Sequence, residues 1–86
     1  MANHPQAKKR ARQRIKITAR NRHVRSTVRT FVKAAASAIE AGDKEKAKTA
    51  LDEAVRQLDK AVTKGVVPRK NASRKISRLT VAVNKL

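Results

Sequence analysis

The sequence predicts an all-α fold: an antiparallel three-helix bundle with a long N-terminal helix overhanging the bundle. Three observations carry that expectation. Apolar residues recur at steps of three and four in three separate stretches, the periodicity of one helix face. The only two glycines, Gly42 and Gly65, fall between those stretches, where helices have to stop. No stretch alternates apolar and polar residues with a period of two, so no strand competes.

The first helix is expected over about 6–41, its stripe formed by Ile17, Val24, Val28, Phe31, Ala35 and Ile39 and running into "EAG". The second is expected over 44–64. Asp43 suits its N-cap, Glu45 complements the positive first turn, and Gly65 suits the C′ position. Its stripe is Ala47, Leu51, Ala54, Leu58, Ala61 and Val62. The third is expected over 68–85, with Pro68 near its first position and Ala72, Ile76, Leu79, Val83 and Leu86 as its stripe. Short links make neighbouring helices antiparallel. The stripes meet in a small core of Val, Ile, Leu and Ala around Phe31, the only aromatic residue. At 1.5 Å per residue the first helix spans roughly 50 Å and the others about 30 Å, an overhang of about 20 Å.

Charge explains what the overhang is for. The 86 residues suffice for one domain, and they carry 23 Lys and Arg against 6 Asp and Glu, a net charge of +17. Such a charge repels the compact state and calls for an anionic partner. All six acids (Glu40, Asp43, Glu45, Asp52, Glu53 and Asp59) lie within residues 40–59, so both ends of the chain are purely basic. The stretch "AKKRARQRIKITARNRHVR", residues 7–25, holds nine Lys or Arg and no acid. From about residue 17 it has an apolar face opposite Arg22, Arg25, Arg29 and Lys33. Before residue 17 its cations point in nearly every direction, which leaves no face for a protein core. Like charges four residues apart, such as Lys8/Arg12 and Arg10/Arg14, disfavour the free helix by a few tenths of a kcal/mol each. The sequence therefore divides into a basic extension, 1–16, helical when anions surround it and frayed alone, and a three-helix bundle, 17–86.

Composition excludes several classes of function. Without Cys there are no disulfides, thiolate metal sites or Cys nucleophiles, and a reducing cytoplasm is the expected location. No apolar run approaches the roughly 20 residues that span a bilayer, and no apolar segment follows the basic start as in a secretory signal. His4 and His23 lack carboxylate partners nearby, the acids of the middle helix have no metal or acid/base spacing, and there is no Gly-rich phosphate loop. Neither enzymatic activity nor a cofactor or metal is expected. The mixed charges of the middle helix read as a solvated face.

The one-signed faces of the first and third helices read as a phosphate-binding surface. Its candidate residues are Lys8, Lys9, Arg10, Arg12, Arg14, Lys16, Arg20, Arg22, Arg25, Ser26, Arg29 and Lys33, followed by Arg69, Lys70, Asn71, Arg74, Lys75 and Arg78. Arg-rich surfaces suit bidentate phosphate contacts. Single-strand recognition needs aromatic platforms, which one core Phe does not supply, and the helices are too long for a helix-turn-helix reader. Backbone and shape recognition of a structured RNA fits best. A DNA-coating protein and a membrane-active cationic helix are the rival readings, the second weakened by small Ala-rich apolar faces and the absence of Trp.

Specific residues sharpen this. "MAN" followed by "AKKR", then S-x-x-R-T at 26–30 with Lys33, "AIEAGDKEKA" at 38–47, and "KG" leading to "KNASRKISRL" at 70–79 run in order along the chain. As a set they resemble the bacterial small-subunit ribosomal proteins of the S-twenty family, with "NHP" near the start departing from the more usual apolar-basic pair. The resemblance implies a three-helix bundle that binds small-subunit (16S-type) ribosomal RNA directly, early in assembly, and stabilises its folding. It implies contacts with the 5′ domain and with the long stem near the RNA's 3′ end, few protein contacts, and a monomer within the ribosome. Carried over by position, Lys8, Lys9, Arg10, Ser26, Arg29, Lys33, Asn71, Arg74, Lys75 and Arg78 face RNA.

Overall fold

A computed structural model describes residues 5–86. Among them there are three helices and no strand: α1, Pro5–Ala41; α2, Lys44–Thr63; and α3, Arg69–Asn84. Expected and observed helix limits agree to within one residue. The ends follow from local chemistry. At the α1–α2 corner Gly42 takes φ +77°, and its N–H donates to the Ile39 carbonyl at 3.0 Å. Asp43 then caps α2, its Oδ1 accepting from the Lys46 N–H at 3.2 Å.

The C-terminal end of α2 is a Schellman motif. Gly65 at φ +75° donates to Val62 O, and Val66 donates to Ala61 O, both at 3.0 Å. Val66 packs back onto the core cluster that contains Ala61, the apolar contact that accompanies such a cap. Pro68 precedes α3 rather than opening it: its ψ of 141° is extended, and its carbonyl accepts the first helical bond from Ala72 N–H at 3.1 Å.

The three helices pack up-down-up, with α2 in the middle: α1 and α3 each pack mainly on α2, and touch one another only lightly. The fully buried positions are small (Ala35, Ala47, Ala54 and Ala61), with Leu58 and Val83 the largest fully buried side chains. Val24, Val28, Leu58, Ala61 and Ala72 form one continuous core, covered by half-buried Val32, Val62, Val66, Val67 and Ile76. Closely approaching, Ala-rich helices leave no room for a phenyl ring. Phe31 is therefore not the centre of the core; it is half-buried on the flank, beside Glu53, Arg56 and Gln57 of α2.

The molecule measures 63 × 20 × 14 Å, and its long axis is α1, whose 37 residues span about 55 Å. Every residue from 6 to 20 is exposed, and burial begins with half-buried Asn21 and buried Val24. Ile17, the first member of the α1 stripe, does not pack on the bundle: it is 51 % exposed. The periodicity that links it to Val24 is genuine. However, Ile17 lies seven residues, about 10 Å, before Val24, whereas α2 ends two residues after Ala61, and the chain then folds back. Protein contact thus starts about one to two turns later than the stripe indicates. At the far end Leu79 is half-buried and Leu86 is 38 % exposed, beyond the last turn of α3.

Candidate nucleic-acid interface

Because α2 separates α1 from α3 over much of their length, a groove is left between α1 and the α2–α3 link. It encloses about 300 Å³. Arg25, Arg29 and Lys33 stand along its α1 side, and Asn71 and Lys75 along its α3 side. Its floor is apolar, formed by Val28 and Val32 together with Val66, Val67 and Pro68 of the link. Among the described residues none that lines it is acidic. The spacing of 25, 29 and 33 repeats every helical turn, so these cations form one row along α1. Residues 71 and 75 form a matching row on α3.

All eighteen candidate residues named from the sequence are exposed. The groove brings five of them together, from two helices: Arg25, Arg29, Lys33, Asn71 and Lys75. Arg69, Lys70, Arg74 and Arg78 do not line it, and their positions on α3 distribute them around the rest of that helix. Ser26 is exposed on α1 outside the groove, where its carbonyl accepts the Thr30 hydroxyl at 3.0 Å. Lys8, Lys9, Arg10, Arg12, Arg14, Lys16, Arg20 and Arg22 project from the overhang and its root. His23 lies on a different side of α1, near Gln57, Lys60 and Lys64 of α2. His4 falls outside the described residues. Among those described, no three His, Asp or Glu side chains are grouped to hold a metal ion, and no helix is long and apolar enough to cross a membrane.

Sequence reasoning missed two apolar elements of this surface. One is the Val66-Val67-Pro68 floor, visible in the sequence only as a link between helices. The other is Ile15, 69 % exposed, which with Ala11 and Ala19 forms an uncharged strip bordered by Arg14, Thr18 and Arg22. Residues 15, 22, 29 and 33 share the outer side of α1, so the strip continues the line of the cationic row.

The sequence has close relatives. The family model described as "Ribosomal protein S20" matches residues 2–84. The chain belongs to that family. A protein named small ribosomal subunit protein bS20 from Syntrophotalea carbinolica is 56 % identical over 84 residues, covering 98 % of this chain and 97 % of the relative. The protein of the same name from Pelobacter propionicus is 51 % identical over 86 residues, covering 100 % and 99 %, and that from Nitratidesulfovibrio vulgaris is 52 % identical with the same coverage. Membership makes the chain a structural, non-enzymatic protein, in agreement with the expectation from its residues.

Proposed function

We propose that the chain, a structural constituent of the small ribosomal subunit in the cytoplasm, binds small-subunit (16S-type) ribosomal RNA directly and stabilises its fold during assembly. The observation that carries the reading is the one-signed surface of α1 and α3, which converges on a groove without an acid among its described lining residues. Phosphates are the ligands such a surface suits, through bidentate Arg contacts and a broad positive field. All eighteen exposed candidates, from Lys8 to Arg78, are assigned to this RNA-facing surface. The RNA elements taken are the 5′ domain and the long stem near the 3′ end, with few protein neighbours and a single copy per particle.

No other part of this chain covers the overhang between residues 6 and 20. Its role is to enter between RNA segments, whose phosphates cancel the repulsion along the helix and fix it as helix. The basic extension, 1–16, and the exposed turn that follows it to residue 20 thereby fold on RNA, while the bundle stands by itself.

Binding measured over a range of salt tests this. With about eight cations on phosphates, log K falls with log[salt] with a slope of roughly −6 to −7. At physiological salt the small-subunit RNA is preferred to random duplex DNA. Equal affinity for the two would favour a DNA-coating protein and remove the ribosomal-RNA reading.

A further inference from the structure

The groove has more apolar surface than phosphates need. A cationic row alone satisfies a sugar–phosphate backbone, and exposed Arg74 and Arg78, one turn apart on α3, have that character. Here, instead, Val28 and Val32 of α1 join Val66, Val67 and Pro68 of the link in one apolar floor. At about 300 Å³ the space lies at the lower end of the roughly 300–1,000 Å³ typical of small-ligand clefts. An apolar bed with polar groups at its edge is how proteins hold a single flat heterocycle.

We propose that this groove receives one unpaired nucleotide, swung out of the ribosomal RNA, with its base on the valine floor and its flanking phosphates on Arg25, Arg29 and Lys75. The proposal rests on the reading of the chain as an RNA binder. Charge complementarity commits the groove to a nucleotide rather than to an apolar peptide, because Arg25, Arg29, Lys33 and Lys75 surround it and no acid lines it among the described residues. Its size commits it to one nucleotide rather than a strand. Asn71, exposed at the lip, offers an amide that donates and accepts at once and so matches the edge of a base. The valine floor takes the place of the aromatic platform that this protein lacks.

The test uses the full-length protein, transcribed small-subunit ribosomal RNA, and base-edge probing with dimethyl sulfate and carbodiimide reagents, which together cover all four bases. Val67→Trp fills the groove without removing a charge. The expected result is at least a tenfold loss of affinity with an unchanged salt slope, and renewed reactivity of one unpaired base that the wild-type protein shields. Asn71→Ala, on the surface, is expected to restore that same reactivity and keeps the test decisive where the tryptophan variant does not fold. Unchanged affinity and an unchanged base pattern with a folded Val67→Trp, or with Asn71→Ala, would mean the groove takes backbone alone and would overturn the proposal. The parent reading fails separately: wild-type protein would then show no preference for this RNA over random duplex DNA.

Discussion

Residues 6–20 and residues 24–41 belong to one unbroken helix, yet they are held by different means. The second stretch buries Val24, Val28 and Ala35 against α2. The first buries nothing, and its cations stand within reach of one another on successive turns. Helical propensity does not separate them, since Ala, Arg, Lys and Gln are all good helix formers. Packing does. Where α1 stops being a bundle helix is decided by its neighbour: α2 ends at Thr63, and the left-handed Gly65 sends the chain back toward the core. A helix can therefore carry a valid apolar stripe beyond the point at which anything covers it, as Ile17 does.

Substitutions in the two stretches separate these sources of order. Leu58, fully buried at the centre of the bundle, has the largest expected effect: Leu58→Ala lowers unfolding free energy by about 2–5 kcal/mol in denaturant titration. Half-buried Leu79 loses less on the same change, about 1–2 kcal/mol. Gly65→Ala meets no atom within 4 Å, so its cost is the left-handed backbone alone, about 1–2 kcal/mol by thermal or chemical unfolding. In the overhang the pattern reverses. The double variant Arg10→Ala, Arg14→Ala leaves bundle unfolding within about 0.5 kcal/mol of the parent, while RNA affinity falls and the salt slope becomes shallower by about 2. The smallest effect belongs to Ile17→Ala, expected within about 0.5 kcal/mol of the parent stability. A loss of 2 kcal/mol there would show that the overhang is packed after all.

Most of the fold was legible because its signals are local. Asp43, Gly42 and Gly65 mark the ends, and a period of three to four residues marks each buried face. The position of Phe31 was not legible, since it depends on how closely Ala35, Ala47 and Ala54 let the helices approach. The limit of protein contact on α1 depends likewise on where another helix ends. For the interface, charge of one sign singled out sixteen of the eighteen exposed candidates, and the uncharged Ser26 and Asn71 came from their hydroxyl and amide groups. Only the tertiary structure distinguishes Asn71 and Lys75, which face Arg25 and Arg29 across a groove, from Arg69 and Arg74, which do not line it. The valines of the link had no sequence signal beyond being apolar.

The central claim is that residues 6–20 take their order from RNA and the bundle from itself. Amide hydrogen exchange on the full-length protein, with and without small-subunit ribosomal RNA, tests it most directly. The account predicts rapid exchange over 6–20 and slow exchange in the cores of α1, α2 and α3 for the free protein, with the RNA slowing 6–20 by orders of magnitude. Equal protection of 6–20 and of the bundle core without RNA would contradict it.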